Sequence, residues 1–384
     1  MDIHAYLERH DTELEALSRM LLEETGACGD EVLYVTGSLV EGLGNLRSDI
    51  DVYLVTARAF DARTDFASVL IVPFEACPVD VEIVAPERIE VLIGRLARFA
   101  PDHNVDPRRT ATAFSAAELK LLHNLRQGAP LFGAARLVGW QARIVQRTLS
   151  RILFDLSQVY LGMLHLDILG QLEDGDAASA AQLIEQYRGH LIGALLAVLG
   201  NTNPADKWRL RLLERLAAGR HATDLPPGYD LPGIVRQLRG FRAPRSSVLV
   251  AFEAFTALQR LAHVIVPWGQ RRFADPAAQH STGVPARPTQ APPSLPDGDG
   301  VLPALSTELS LHFCGPDAYR LTALDEHCVI EVNQQAYAIL LCFDGKTTLN
   351  QAAGRLAVHS GLAPGRLAGA IDDLQQVLRG HALL

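Results

Sequence analysis

The segment YVTGSLVEGLGNLRSDIDVYLV, Tyr34 to Val55, constrains this chain more than any other. Tyr34 to Thr36 is an aromatic and β-branched run that stops at Gly37, the pattern of a strand entering a tight turn. Gly37 has no Cβ, so a phosphate chain can approach the backbone closely there. Ser38 adds a hydroxyl and opens a helical turn whose free N–H groups favour an anion. A polar loop containing Arg47 and Ser48 leads into Asp49-Ile50-Asp51-Val52-Tyr53-Leu54-Val55. Side chains alternate along a strand, so Asp49 and Asp51 share one face while Ile50 and Val52 enter the core. Two carboxylates beside a phosphate-cradling Gly-Ser suit a divalent metal and a nucleoside triphosphate. The plain alternative is a solvated turn with two surface aspartates.

The ordered set Gly37-Ser38 followed by Ser48-Asp49-Ile50-Asp51-Val52 closely resembles the signature of the nucleotidyltransferases of the DNA polymerase β superfamily. A lone Asp-x-Asp says little, but the combination is specific because each part sits where strand, turn and strand require it. The resemblance implies an N-terminal α/β core and ATP or another nucleoside triphosphate as co-substrate. It also implies a pair of Mg²⁺ ions, or Mn²⁺, held by the aspartates. Gly37, Ser38 and Ser48 would form the nucleotide-binding turn.

A partner strand is expected at Pro78-Val79-Asp80-Val81-Glu82-Ile83-Val84, which alternates cleanly and puts Asp80 and Glu82 on one face. By the resemblance, a third carboxylate on a neighbouring strand completes the metal site or takes the proton from the attacking hydroxyl. Asp80 is preferred, because the family's third acid usually follows the strand's first apolar residue. Glu82 is left as a base or as a residue one step outside, and both acids as rim carboxylates is the bland alternative.

The chain has 384 residues, enough for two or three domains, and 48% of them are apolar. Its formal net charge of −9 disfavours nucleic acid as a partner. The five cysteines, Cys28, Cys77, Cys314, Cys328 and Cys342, form no zinc spacing, and an odd number of free thiols fits a cytoplasmic setting. The polar, acidic start MDIHAYLERHDTELEAL does not read as a signal peptide. Apolar runs such as Leu191 to Leu199 fall short of a membrane span, so no membrane partner is expected.

Helical spacing of Leu7, Leu14, Leu17 and Leu21 predicts a helix from about His4 to Glu24. Pro86 opens another to Arg98, followed by an irregular stretch with His103, Arg108 and Arg109, where a surface histidine is the ordinary expectation. Ser115-Ala116-Ala117-Glu118 reads as a capping box. Helices then dominate to about Gln270. Arg143, Arg147 and Arg151 repeat every four residues, as a basic stripe that either lines a cleft or is a solvated face. Leu191 to Leu199 is a buried helix ending at Gly200-Asn201, and Asn203-Pro204 starts a basic one with Lys207, Trp208, Arg209, Arg211 and Arg215. This arrangement is similar to that of antibiotic nucleotidyltransferases, in which a helical half closes over the catalytic half. By that analogy Lys207 would meet the triphosphate.

Residues 274–307 are rich in Pro, Ala, Gly, Ser and Thr and read as a linker. Beyond it the spacing predicts strands at Leu309–Phe313, Ala318–Leu324 and Cys328–Val332, then helices at Gln334–Phe343, Leu349–Ser360 and Pro364–Arg379. The run Val329-Ile330-Glu331-Val332-Asn333, then Ala336, Asp344-Gly345 and the apolar end of the last helix, resembles pyrroloquinoline quinone biosynthesis protein D and related (PqqD-like) recognition elements of ribosomally made, modified peptides. The resemblance implies that a precursor's leader segment is added as a strand along Val329, Ile330, Glu331 and Val332. A winged-helix DNA-binding module has the same shape, but Asp372 and Asp373 on the last helix speak against DNA.

The expected architecture is α+β. It comprises a nucleotidyltransferase core (1–114), an all-helical domain (115–273), a linker (274–307) and a winged-helix-like βββααα domain (308–384). The expected activity is metal-dependent transfer of a nucleoside monophosphate, AMP from ATP, to a leader-guided precursor peptide. Two alternatives stand beside it: a nucleotidyltransferase acting on a small molecule or protein with a regulatory C-terminal domain, and a non-catalytic peptide-binding scaffold.

Overall fold

The structure is a computed structural model and describes residues 1–58, 69–74, 77–99, 107–218, 224–275, 300–315, 317–323 and 328–384. His103 and most of the linker, residues 276–299, lie outside the described residues. The fold is α+β, with a mixed five-stranded sheet and a separate three-stranded antiparallel one. The chain forms two compact units. Unit 1 is Met1–Pro101, Thr112–Ile152 and Thr202–Arg211; unit 2 is Asp102–Ala111, Leu153–Asn201 and Leu212–Leu384.

Unit 1 begins with α1 (Ile3–Glu8) and α2 (Leu14–Thr25). The periodic leucines therefore lie on two helices rather than one. The polar turn His10-Asp11-Thr12 separates them, with Asp11 at φ 54°, a left-handed conformation that Asp tolerates better than most residues. Next come β1 (Val32–Thr36), α3 (Gly37–Val40), β2 (Ile50–Val55), β3 (Val69–Phe74) and β4 (Cys77–Val84). After them follow α4 (Pro86–Arg98), with Pro86 in its first turn, and α5 (Pro107–Ala111), which belongs to unit 2. Unit 1 resumes with α6 (Ala116–Gln127), β5 (Ala129–Phe132) and α7 (Ala134–Arg143). The capping box at Ser115 is formed, its hydroxyl accepting from Glu118 N while Glu118 Oε2 accepts from Ser115 N.

The strand order is β3-β4-β2-β1-β5. The β2–β4 pair is parallel and its neighbours are antiparallel. β1 is buried throughout and β2 nearly so, which is why both read as near-continuous apolar runs. Leu17 and Leu21 of α2 pack with Leu33, Val35, Val52 and Val81 in one core.

The remaining helices are α8 (Gln146–Glu173), α9 (Ala177–Val198), α10 (Arg209–Ala217), α11 (Leu231–Gly240) and α12 (Val248–Ala274). The basic stripe expected on one helix is broken: Ile144 leaves the helical region after Arg143, and Arg147 and Arg151 begin a new helix. Arg143 pairs with Glu90 at 2.7 Å, and Arg151 is buried. The α8 and α12 helices are long and apolar enough to cross a membrane by length and composition, a signature that interrupted apolar windows hid from a search for continuous runs. About half of each such window is buried within the protein, 44% and 50%.

The last part of unit 2 is β6 (Leu309–Gly315), β7 (Ala318–Ala323), β8 (Val329–Val332), α13 (Gln334–Leu340), α14 (Leu349–Ser360) and α15 (Pro364–Gly380). It shares a core with α12. His263 Nε2 lies 3.1 Å from the Leu309 carbonyl, Phe313 N donates to Gln270 Oε1 at 2.7 Å, and the Tyr337 hydroxyl donates to the His263 carbonyl at 2.9 Å.

Candidate active site

The site is built on β1, the α3 turn, β2 and β4, all in unit 1. Gly37 sits at φ 78°, where L side chains are disfavoured, and a Cβ built there would lie 2.0 Å from Asp51 Oδ2. Glycine at 37 is thus required twice, by its backbone angle and by the carboxylate against it. Ser38 is half-buried, and its carbonyl accepts from Leu43 N at 2.7 Å, closing the turn. Ser48 is buried and committed to the loop: its hydroxyl accepts from Asn45 N at 2.9 Å and its carbonyl from the Tyr6 hydroxyl at 2.7 Å.

The parallel register of β2 and β4 sets Asp51 opposite Asp80 and Tyr53 opposite Glu82. Asp49 is exposed just before β2. Burial, then the charges of Asp49 and Asp80, push the Asp51 carboxyl up to about 6, against the opposing pull of Lys120 and Lys207. Asp80 is raised by burial and by Asp49, again opposed by Lys120. The three aspartates therefore form one repelling acidic group. Glu82 does something different. Tyr53 donates its phenol to Glu82, and Asn124 Nδ2 donates to the Tyr53 oxygen at 3.3 Å. Tyr53 also stacks on Tyr34, centroids 5.3 Å apart. Glu82, half-buried, is thus tied to the buried group formed by Tyr53, Tyr34 and Asn124.

Among the described residues, no three His, Cys, Asp or Glu side chains are gathered as a ready-made metal cage. The donor chemistry nonetheless fits Mg²⁺ or Mn²⁺: Asp49, Asp51 and Asp80 offer hard oxygens whose repulsion a divalent cation relieves.

Lys207 lies in a 3₁₀ turn at Asp206–Trp208, its ammonium 5.3 Å from the Trp208 ring centre. The helix expected from Asn203-Pro204 starts later, at Arg209, because the Asn203 side chain caps only a local turn, accepting from Ala205 N at 2.8 Å. Segment Thr202–Arg211 belongs with the sheet in unit 1. Lys120, on α6, was not singled out by sequence reasoning. A signal was present: the chain has only three lysines, Lys120, Lys207 and Lys346, and two of them act on Asp51. The cavity lined by Tyr229, Arg260, His263 and Phe343 belongs to unit 2 and contains none of these residues.

Val329, Ile330, Glu331 and Val332 form β8, the edge of the three-stranded sheet. Ala323 N donates to the Cys328 carbonyl at 3.0 Å across the β7–β8 pair. By the alternation of an antiparallel ladder, Val329 and Glu331 turn their N–H groups to the open edge.

No protein-family model and no curated protein matches the chain. Among solved structures, a nucleotidyltransferase-like protein from Exiguobacterium sibiricum 255-15 is a distant likeness. It shares 11% sequence identity at a TM-score of 0.35, over 68% of this chain and 78% of that one.

Proposed function

We propose that the protein is a metal-dependent nucleotidyltransferase that moves a nucleoside monophosphate, AMP from ATP, onto a ribosomally made precursor peptide. The observation that carries the transferase reading is the register that sets Asp51 opposite Asp80, with the charge of Asp49 on both, beside the Gly37 turn. Asp49, Asp51 and Asp80 are the residues that would hold Mg²⁺. When bound, the metal neutralises the charge that develops on the phosphates and the leaving pyrophosphate. The Gly37-Ser38 turn receives the phosphate chain, and the absence of a Cβ at Gly37 leaves room for the Asp51 carboxylate against the same turn. Lys120 and Lys207 supply positive charge facing the acidic group. Glu82 holds Tyr53, which leaves Asp80 as the carboxylate that stands with Asp51.

The peptide part of the reading rests on β8. An edge strand with outward N–H groups is a template for strand addition, and Val329 is 52% exposed on it. A leader segment docked there would bring the precursor to the enzyme.

Calorimetry with a non-hydrolysable ATP analogue, with and without Mg²⁺, tests the first part on wild type and on Asp49→Asn/Asp51→Asn. Mg²⁺-dependent binding lost in the variant supports it, and no binding of any nucleotide by wild type sinks it. A mass shift equal to one nucleotide on a candidate precursor, lost when its leader is removed, tests the second part.

A further inference from the structure

The α3 turn that starts at Gly37-Ser38 ends at Glu41, whose side chain is 10% exposed. A carboxylate that buried needs hydrogen-bond donors. It finds them on His123 and on a segment distant in sequence. His123, itself 3% exposed, places Nε2 3.0 Å from Glu41 Oε1 and Nδ1 2.9 Å from Thr202 Oγ1. Asn203 Nδ2 donates to the same Glu41 oxygen at 2.8 Å. At the other end, Arg211 Nη1 donates to the Leu43 carbonyl at 2.8 Å and Nη2 to that of Gly42 at 3.4 Å. Thr202–Arg211 is thus fastened at both ends to the turn behind Gly37. Lys207 lies between the two fastenings, and the Asp206–Arg209 pair at 2.6 Å stiffens the span. The charge of Lys207 acts on Asp51 across this arrangement.

We propose that Glu41 and His123 form a latch that positions Lys207 for the triphosphate received by the Gly37 turn. They are positioning residues, acting through Lys207 and not on the substrate. The inference rests on the nucleotide reading given above. Its physical content is preorganisation. A lysine on an unfastened segment would have to be ordered at each binding event, whereas the latch removes that entropic cost in advance. Tying the latch to the turn also couples the two phosphate-binding elements, so each is held in register with the other.

Two measurements on the full chain test this. Hydrogen exchange over residues 202–211 reports the latch without any ligand. Calorimetry with the ATP analogue and Mg²⁺ reports its purpose, on wild type, His123→Ala, Lys207→Ala and the double variant. The expected result is faster exchange in His123→Ala, an affinity loss of about tenfold for each single variant, and no further loss in the double variant. Unchanged exchange overturns the latch. Faster exchange with unchanged affinity, or with losses that add in the double variant, overturns the positioning role. Failure of wild type to bind any nucleotide overturns the reading beneath it and is told apart because no variant is needed to see it. If His123→Ala does not fold, Thr202→Val and Asn203→Ala open the same latch from the other side. His123→Gln, which keeps a donor towards Glu41, is expected to restore most of the affinity.

Discussion

Asp51 and Asp80 stand opposite each other on adjacent parallel strands, and the charge of Asp80 raises the cost of ionising Asp51. Repulsion of this kind costs folded-state stability when no cation is bound. Asp51→Asn is expected to stabilise the metal-free protein by about 1 kcal/mol. The same change should lower nucleotidyl transfer by about a hundredfold or more. Thermal melts without divalent cation, set beside product formation with it, check both signs at once. A variant that melts earlier would contradict the repulsion.

Gly37→Ala places a carbon 2.0 Å from Asp51 Oδ2 at a φ of 78°. Gly29→Ala meets nothing within 4 Å at a φ of 60° and isolates the backbone penalty, about 1 kcal/mol. The excess cost at Gly37 over Gly29 in denaturant unfolding measures the steric conflict. Gly37→Ala should also lose nucleotide binding while Gly29→Ala keeps it.

Unit 2 should be acid-labile through its histidines. Burial pushes His165 and His312 down to about 4, and His263 is also lowered by burial, with Arg260 and Arg320 adding to the trend. The unfolded chain takes up these protons near 6.5, before the folded one does. Their contribution is therefore present above 6.5 and is lost as pH falls from there towards 4. The loss is on the order of 3 kcal/mol for each of His165 and His312. Chemical unfolding at stepped pH should show this slope, and His165→Gln should flatten it.

Removing the residues after Ala274 uncovers the face of α12 that packs on β6 and leaves the His263 and Gln270 partners unmade. We expect truncation to destabilise unit 2 rather than merely to detach a peptide-binding domain. Val329→Pro is the cleaner test of peptide docking. It removes one outward N–H from β8 and spares the Ala323–Cys328 pairing. On the peptide reading it should weaken leader binding with the thermal midpoint nearly unchanged.

Much of the fold was legible because it is local. The capping box at Ser115, Pro86 at the start of α4 and the βββααα order after Leu309 all follow from residues near one another in sequence. The misses also have physical causes. One periodic stripe became α1 and α2 because Asp11 tolerates a left-handed turn that periodicity does not register. The Arg143–Arg151 stripe failed because a single extended residue, Ile144, resets the helical phase.

For the site itself, the Asp-x-Asp spacing marked Asp49 and Asp51 as neighbours at the start of β2, and Gly37 before Ser38 marked the turn. These are properties of neighbouring residues and need no tertiary information. Which residue of β2 each acid of β4 faces is different. It depends on the register between β2 and β4, which the core packing of two strands decides and which no residue of either strand encodes alone. The same holds for Lys120, Lys207, His123 and Glu41. Glu41 and His123 lie far apart along the chain and meet because buried polar groups must find partners wherever the fold brings them, and Lys120 and Lys207 come to act on Asp51 from two distant segments.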